Sequence, residues 1–421
     1  MDQITIFGID LNDSYSQISY YKEAMEEPAS ISPHVGSQSY LIPTVVAKRP
    51  GVGQWFIGDE ALAYHERVEE FLSKAYKRDS IMVDGILVEA IDLLTLFLRR
   101  VLALSHGVGC DKKKDYFILC IDHASALAIE SLFLVMERLD IPKEHVKICE
   151  RKEAFCYYVM NQEPSLRMRD VLLLDYWKHA FRVFELSIKR NVTPNVVSVS
   201  EVRIAAMEQD AENLNLTKEE KLQYKDEQLS GCLDDIIGGK MISSIYLVGQ
   251  GFEGDWMKKS LSRLCAGRRV FYGMNLYTKG ACYYGKRVTF DKDNVKDYLY
   301  LGGGNLLYNI CVKVFHRDEF IYHVLIGAGD NWQDAKGQME VILEGTDEPE
   351  IEVVCKSIKD EEDILVKCKL DGLKVSKDRT TRVRIETSAI SRDRIRILIK
   401  DIGFGEIYPG SNKEWQFSVK L

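Results

Sequence analysis

Three segments of this sequence end an apolar run with carboxylates or glycines, a pattern typical of nucleotide sites. They are Gly8-Ile9-Asp10-Leu11-Asn12-Asp13-Ser14, Leu174-Asp175-Tyr176-Trp177-Lys178-His179 and Tyr246-Leu247-Val248-Gly249-Gln250-Gly251. Asp10 and Asp175 could hold a hydrated Mg²⁺, because hard cations favour oxygen ligands. The chemistry that such a set would perform is metal-assisted binding and hydrolysis of a phosphate chain.

Most of the glycines that a phosphate loop uses are absent. Glycine reaches positive φ at little cost and lets backbone N–H groups approach phosphate. In the first segment, Asn12 can still adopt a left-handed turn, but the Asp13 carboxylate would face the phosphate unless Mg²⁺ lay between them. If the second segment were a phosphate loop, Trp177 would occupy the space of phosphate oxygens, and Lys178 could supply a compensating positive charge. The third keeps two glycines, and a plain strand-to-helix turn explains them equally well.

The elements that must position these segments alternate between strands and helices over the first 290 residues. Apolar runs predict strands at residues 4–9, 17–21, 116–121, 146–148, 171–174, 181–188, 196–202 and 245–248. Helices are predicted at residues 86–104 and 126–139, the second with Ser125 as its N-cap, and from about residue 152. A further helix should start at Thr217, where residues 217–220 have the form of a capping box, and Asp255 should cap the next one. This alternation predicts mixed sheets covered by helices.

From about residue 297 the pattern changes to alternation of apolar and polar residues. It is strict in residues 382–386 and 394–397, and it places one set of apolar side chains on a single face: Val383, Ile385, Ile395, Ile397 and Ile399. Gly302-Gly303-Gly304 has no following Lys-Ser/Thr pair, so it predicts a turn rather than a phosphate loop. This region should form an antiparallel sheet domain in which these side chains fill a core.

Length, charge and cysteine content narrow the class of protein. The 421 residues suggest roughly two to three domains. A net charge of −8 argues against a nucleic-acid binder. No signal peptide and no membrane-spanning run are evident, and the ten cysteines form no CxxC pair. We therefore expect a cytoplasmic protein with reduced thiols.

The order and spacing of these segments resemble the actin and heat-shock-70 chaperone ATPase superfamily. The residues that carry the resemblance are 8–11, Ser16, Ile18, 41–46, 56–61, 148–150, Ala154, Asp175, 279–281, 295–301, 368–373 and the hairpin 382–401. The resemblance implies an α/β fold: a two-lobed actin-like ATPase fold with ribonuclease-H-like lobes, followed by a C-terminal antiparallel β-sandwich that grips extended peptides. It places a first lobe at residues 1–170, a shortened second lobe at 171–290, a linker at 291–301 and the sandwich at 302–421.

The same resemblance assigns roles to individual residues. It places Glu150 where the hydrolytic glutamate of the family stands, so an active site would use Asp10, Glu150 and Asp175 as catalytic residues. Asp10 and Asp175 would hold Mg²⁺ through water. Nucleotide contacts would come from the three loop segments, by way of Asn12, Asp13, Ser14, Lys178, Gly249, Gln250 and Gly251. The expected cofactor is ATP or ADP with Mg²⁺, or no cofactor at all.

The departures from the family shape the functional expectation. The sequence ends directly after the predicted sandwich, without the family's helical lid, and the stretch between Asp175 and Gly249 is short. We expect a chaperone-like protein of a bacterial type, with a degenerate nucleotide site and little or no ATPase activity. It would act on a protein or peptide partner through its sandwich, not on nucleic acid or membrane. Two alternatives stay open: an active Mg-dependent ATPase chaperone and a small-molecule kinase of the same superfamily.

Overall fold

The protein divides into two compact units, Met1–Tyr298 and Leu299–Leu421. The computed structural model describes residues 4–34, 36–37, 39–49, 53–177, 180–191, 193–202, 216–291, 297–345, 348–358, 362–376 and 378–421. The division falls within the predicted linker at residues 291–301, of which residues 292–296 lie outside the described ranges. Each unit is described by itself below.

Residues 1–170, called here the first lobe, contain a mixed sheet. Its strands are β1 (Thr5–Asp10), β2 (Tyr15–Lys22), β3 (Ala29–Ser30), β4 (Ile42–Pro43), β5 (Val46–Lys48), β6 (Trp55–Ile57), β7 (Arg67–Val68), β8 (Ser80–Val83), β9 (Ile86–Glu89), β10 (Tyr116–Ile121) and β11 (Val146–Glu150). Its helices are α1 (Asp59–Leu62), α2 (Phe71–Tyr76), α3 (Ala90–Ala103), α4 (Ala126–Arg138) and α5 (Arg151–Met160). The main sheet has the order β11-β10-β1-β2-β3, with β4 beside β2. β1, β10 and β11 are parallel, and β2 runs antiparallel to β1.

The predicted helix at residues 86–104 is wrong in its first turn. Ile86–Glu89 pairs with Ser80–Val83 as a β-hairpin, and the helix begins only at Ala90. The turn is Asp84-Gly85, with φ of 52° and 72°. An Asp-Gly pair with positive φ at both positions is a strong hairpin signal, and it prevails over the helical pattern that follows it.

The second lobe (residues 171–290) repeats the sheet of the first. Its strands are β12 (Asp170–Trp177), β13 (Ala180–Lys189), β14 (Asn195–Val202), β15 (Ile242–Val248) and β16 (Arg269–Tyr272), with helices α6 (Lys218–Ile237), α7 (Lys258–Leu264) and α8 (Leu276–Thr289). Five strands of this six-stranded sheet have the order β16-β15-β12-β13-β14. β12, β15 and β16 are parallel, and β13 is antiparallel to both of its neighbours. Each of these five strands thus has a counterpart of the same direction in the first sheet.

Two of the three helix N-caps predicted from the sequence are confirmed. The capping box at Thr217 and Glu220 is confirmed at the start of α6, as is the Ser125 cap of α4. The predicted cap by Asp255 is wrong, because α7 begins at Lys258 without a side-chain cap from its own segment. Asp226 of α6 instead accepts hydrogen bonds from the backbone N–H groups of Lys259 and Ser260, at 2.7 and 2.9 Å.

Helices α5 and α8 contact each other between the two sheets. Their closest approach is at Ala154 and Gly280, where a Cβ atom on Gly280 would lie 2.0 Å from the Ala154 carbonyl oxygen. Phe155 and Tyr158 of α5 contact the ring of Tyr246 on β15, at centroid distances of 6.5 and 5.6 Å. The helix that ends the first lobe therefore packs against the sheet of the second.

The second unit, called here the β domain (residues 299–421), consists of antiparallel strands. After β17 (Tyr298–Tyr300), which spans the division, they are β18 (Tyr308–His316), β19 (Glu319–Ile326), β20 (Lys336–Leu343), β21 (Glu350–Ser357), β22 (Ile364–Lys369), β23 (Thr381–Ser391), β24 (Arg394–Asp401), β25 (Gly403–Phe404), β26 (Tyr408–Pro409) and β27 (Glu414–Lys420). Two four-stranded sheets have the orders β19-β18-β21-β22 and β20-β23-β24-β27. Residues 303–304 form a turn, as predicted.

The two sheets of the β domain share one apolar core. One sheet contributes Ile310, Val312, Ile351 and Val353, and the other contributes Val383, Ile385, Ile395, Ile397 and Ile399. All five residues of the second group are fully buried, so the prediction that they fill a core is confirmed. Within the described ranges, no helix combines the length and the apolar character needed to cross a membrane. The ten cysteines are free thiols.

Replacing Gly280 by alanine should destabilise the protein, because the added methyl group would meet the α5 backbone. We expect a loss of about 1–3 kcal/mol in the free energy of unfolding, measured by urea denaturation. The matched control is Gly231→Ala on the open face of α6, where nothing lies within 4 Å of the added Cβ. That control should gain about 0.5–1 kcal/mol from helix propensity. A gain of the same size in Gly280→Ala would show that the helices do not cross so closely.

Candidate site between the two lobes

Asp10 and Arg151 form a buried ion pair at the end of the first sheet. Asp10 is the last residue of β1, and Arg151 is the first residue of α5. Arg151 donates from Nε to Asp10 Oδ1 at 2.9 Å and from Nη2 to Oδ2 at 2.7 Å. Both side chains are only 4% exposed. A bidentate guanidinium–carboxylate pair of this kind fixes both partners in one orientation.

Asp175 holds a matching position in the second sheet, where its partner is Tyr277. Tyr277, in the first turn of α8, donates its hydroxyl to Asp175 Oδ2 at 2.7 Å. The guanidinium carbon of Arg151 lies 4.8 Å from the centroid of the Tyr277 ring, which is a cation–π contact. A chain of four side chains, Asp10–Arg151–Tyr277–Asp175, therefore connects the two lobes. We call it the interlobe chain.

Burial dominates the electrostatics of the interlobe chain. It raises the pKa of the Asp10 carboxyl, although the Arg151 guanidinium opposes this shift. It also raises the pKa of Asp175, against the charge of Arg151 and the hydrogen bond from Tyr277. Burial alone would lower the pKa of Arg151, but the neighbouring Asp10 and Asp175 charges raise it above its usual value, so the guanidinium stays protonated. The chain thus holds two carboxyl groups and one permanent cation.

The first loop segment is occupied by contacts within the protein. Asn12 Oδ1 accepts a hydrogen bond from the Ser14 backbone N–H at 2.8 Å, which closes a tight local turn. Asp13 Oδ1 accepts the backbone N–H of Leu72 at 2.9 Å and that of Ser73 at 3.4 Å. These N–H groups belong to the first turn of helix α2. The Asp13 carboxylate, from a distant segment of the chain, therefore caps the N-terminus of α2.

The second loop segment places aromatic rings in the site. The ring of Trp177 lies 6.1 Å from that of Tyr15, so the two lobes also meet here. Lys178 and His179, which the sequence pattern connects to phosphate binding, lie outside the described residues. The Tyr176 ring points away from this contact into an aromatic cluster with Phe252 and Trp256.

The third loop segment packs against the second. Gly249 has a φ of 109°, and a Cβ atom there would lie 2.2 Å from the Tyr176 carbonyl oxygen. A Cβ atom on Gly251 would lie 2.3 Å from the Tyr176 ring. Lys225 of α6 lies over the same ring and donates to the Gly251 carbonyl oxygen at 2.7 Å. Gln250 begins the short helical turn Gln250–Phe252. Both glycines are thus explained by the close approach of Tyr176.

Glu150 lies at the end of β11, beside the loop that precedes α4. Its Oε1 accepts the backbone N–H of Ala124 at 3.0 Å and lies 3.3 Å from His123 Nδ1. Nearby, Arg182 of the second lobe reaches Asp122 of the same loop at 2.5 Å and Glu201 of β14 at 2.9 Å. Arg182 therefore makes a further ion pair between the lobes, close to the predicted hydrolytic residue.

These contacts do not suit a metal–nucleotide complex in the present arrangement. Both oxygens of Asp10 accept a hydrogen bond from Arg151, so a cation approaching them would be repelled by the guanidinium charge. The part of the chain that the structure describes contains no group of three or more His, Cys, Asp or Glu side chains able to hold a metal ion. The structure thus brings Asp10 and Asp175 together through an arginine and a tyrosine.

Arg151 and Tyr277 are the site residues that sequence reasoning missed. A signal was available for Arg151, because a cation at the first position of a helix opposes the helix dipole and calls for a carboxylate partner. No local pattern marks Tyr277. Its role depends on α8 lying beside Asp175, which is 102 residues away in the sequence.

ATP turnover by the purified protein should not exceed background. Arg151 binds Asp10, and Trp177 stands in the second loop in place of a glycine. We expect steady-state phosphate release from Mg-ATP to equal that of an Asp10→Asn variant. Robust release by the unaltered protein that disappears in Asp10→Asn would contradict this expectation.

Stability should fall with rising pH because of Glu153, which is buried in the first turn of α5. Burial raises the pKa of Glu153 to about 8, and the charge of Glu150 adds to the shift. Folding therefore takes up a proton between about pH 4.5 and about pH 8, so the free energy of unfolding should fall by up to about 1.4 kcal/mol per pH unit in that window. Urea denaturation across this range measures the slope. Glu153→Gln should flatten it, whereas Glu227→Gln, at an exposed position of α6, should not. Equal slopes in all three proteins would exclude Glu153 as the cause.

The comparisons with known sequences describe families without an assigned role. Residues 27–303 match the C-terminal region of a family of unknown function, DUF5716. Residues 305–421 match a domain of unknown function, DUF8552. No curated protein matches the sequence. Since the first match covers well over half of the chain, the protein belongs to the DUF5716 family.

Proposed function

We propose that this protein is a chaperone-like, actin-fold protein of the cytoplasm with a degenerate nucleotide site. It acts by binding a protein or peptide partner through its β domain, a β-sandwich. The fold assignment is supported by the repeated sheet, since β1 with its neighbours and β12 with its neighbours have the same order and directions. It is also supported by the helices α5 and α8, which follow the last strand of each sheet and meet between the lobes.

The contacts between the lobes support a degenerate nucleotide site. A phosphate chain needs backbone N–H donors and a neutralising cation. Here, Arg151 of the protein is paired with Asp10, and the Tyr176 ring covers Gly251. With two carboxyl groups against one guanidinium, the interlobe chain offers no net positive charge to a phosphate.

The observation that carries the binding role is an apolar surface on the outside of the β domain. Phe315, Phe320, Tyr322 and Val324 are 60%, 67%, 44% and 50% exposed, respectively. We call these four residues the apolar strip. They lie on β18 and β19, and the rings of Phe315 and Phe320 touch with centroids 5.2 Å apart. Exposed aromatic groups of this size commonly mark a surface that meets a partner.

The strand register shows that the apolar strip is one continuous face. Phe315 is opposite Phe320, and Lys313 is opposite Tyr322, so these side chains point to the same side of the sheet. On β18 the opposite side faces the core, through Ile310 and Val312. The folded core therefore does not need the exposed aromatic rings.

The position of β19 indicates which kind of partner would fit. β19 pairs with β18 and is the edge strand of its sheet in the described part of the β domain. An edge strand offers unpaired backbone groups to an added strand. Lys313 and Lys356 lie over Phe320 and Tyr322, at 5.1 and 3.7 Å from the ring centroids. We expect an extended segment whose apolar side chains alternate with polar ones and whose flanks are acidic.

Removing one ring of the apolar strip should weaken binding. In the full-length protein, Phe320→Ser should reduce the affinity for fluorescent peptides with alternating apolar and polar residues by roughly tenfold or more. Burying a phenylalanine contributes about 1.5–3 kcal/mol, and tenfold corresponds to about 1.4 kcal/mol. Fluorescence anisotropy measures this affinity.

The matched control is Ile407→Ser, which removes an apolar side chain that is 83% exposed in the β25–β26 hairpin. It should leave the affinity unchanged. Equal affinities of the unaltered protein and of Phe320→Ser, or a pull-down that recovers partners only through residues 1–298, would reject the role of the β domain.

A further inference from the structure

We infer that Arg151 is a tethered cation: it takes the place of a bound metal ion between Asp10 and Asp175 and holds the two lobes closed without any ligand. The inference concerns residues 1–298 and does not depend on partner binding by the β domain. The inference goes beyond the proposal of a degenerate nucleotide site, because it assigns a structural role to Arg151, the residue that occupies that site.

The repeated architecture gives Arg151 and Tyr277 equivalent places. Asp10 and Asp175 both lie toward the carboxyl end of the first strand of their sheets. Arg151 is the first residue of α5, and Tyr277 is the second residue of α8. Each aspartate is therefore bound by the helix that follows the last strand of its own sheet.

Arg151 contributes to the link between the lobes through the contact between these two helix starts. The Arg151 guanidinium lies on the Tyr277 ring, and each group is fixed at its other end by an aspartate. Both side chains are buried, so water does not weaken the contact as it would at the surface. Moving the lobes apart would separate the cation from the ring and from the neighbouring Asp175 charge.

The charge balance explains why an arginine can replace a divalent ion here. A divalent cation would neutralise two carboxylates, whereas Arg151 neutralises one. The second, Asp175, receives one hydrogen bond from Tyr277, while its Oδ1 atom is buried and has no partner among the described residues. Without Arg151, Asp10 would lose its paired cation, and Asp175 would keep only the charge of Arg182 among the described residues, so the two buried carboxylates, whose charges act on each other, would attract a divalent ion.

Further contacts keep the lobes in the same arrangement. Helix α8 packs against β1 of the first lobe, where a Cβ atom on Gly8 would lie 2.2 Å from the Thr278 carbonyl oxygen. Arg182 reaches Asp122 across the lobes, and the rings of Tyr15 and Trp177 meet. These contacts are made by the protein's own side chains. The closed arrangement thus needs no nucleotide, and nucleotide should not drive its opening.

Arg151→Ala in the full-length chain tests the inference. Without added metal, its unfolding midpoint should fall by on the order of 10 °C, because a buried charge loses its partner. Millimolar MnCl₂ should recover much of this loss, and Mn²⁺ electron paramagnetic resonance should show one bound ion per chain. The midpoint of the unaltered protein should not respond to MnCl₂ or to Mg-ATP.

Two variants separate this explanation from general destabilisation. Arg182→Ala removes another interlobe arginine but leaves Asp10 paired, so its midpoint should not respond to Mn²⁺. Asp10→Asn/Arg151→Gln removes both charges of the buried pair and should also bind no Mn²⁺. In small-angle X-ray scattering this double variant should have a larger radius of gyration than the unaltered protein, because the contact between the Arg151 guanidinium and the Tyr277 ring is lost.

Three results would overturn the inference. One is a folded Arg151→Ala that neither binds Mn²⁺ nor gains stability from it. Another is an unaltered protein whose midpoint rises with Mn²⁺ or Mg-ATP and loses this response in Asp10→Asn. The third is a double variant as compact as the unaltered protein, which decides the question even if Arg151→Ala does not fold.

Discussion

The arrangement of the two lobes depends on a charged group placed where water cannot reach it. A buried guanidinium must have a carboxylate partner in good geometry, since an unpaired buried charge is far more costly than a lost surface contact. Arg151 meets this condition through Asp10, so the end of β1 must lie against the start of α5. The close crossing of α5 and α8 at Ala154 and Gly280 follows one turn further along both helices. The position of β1, the start of α5 and the crossing of α5 with α8 therefore depend on one another.

The loops around this pair use their side chains for packing. Asp13 caps α2, and the Tyr176 ring lies against Gly251. In a phosphate loop, backbone N–H groups must stay free to meet an anion, and large side chains would obstruct them. The same chain positions here contribute to the stability of the closed lobes. This difference underlies the proposal that the site has lost its nucleotide chemistry while the architecture around it persists.

In the β domain, the residues that stabilise the fold and the residues proposed to bind a partner are different. Its inner faces are filled by aliphatic side chains from both sheets, which is what folding requires. The apolar strip lies on the opposite side of β18 and β19 and leaves large rings in water. Among the described residues, β19 pairs with a strand on one side only, which supports the proposal that this surface receives an added strand.

The sequence by itself determined the elements whose signals are local. Alternating residues identified the core of the β domain, and capping residues located the starts of α4 and α6. Local signals also misled where a stronger one overlapped, as at the Asp84-Gly85 turn before α3. Only the tertiary structure decided what the carboxylates do. Asp10 meets Arg151 across 141 residues of sequence, and Tyr277 meets Asp175 across 102. Such pairs depend on how two sheets and two helices pack, and no periodicity or spacing along the chain encodes that packing.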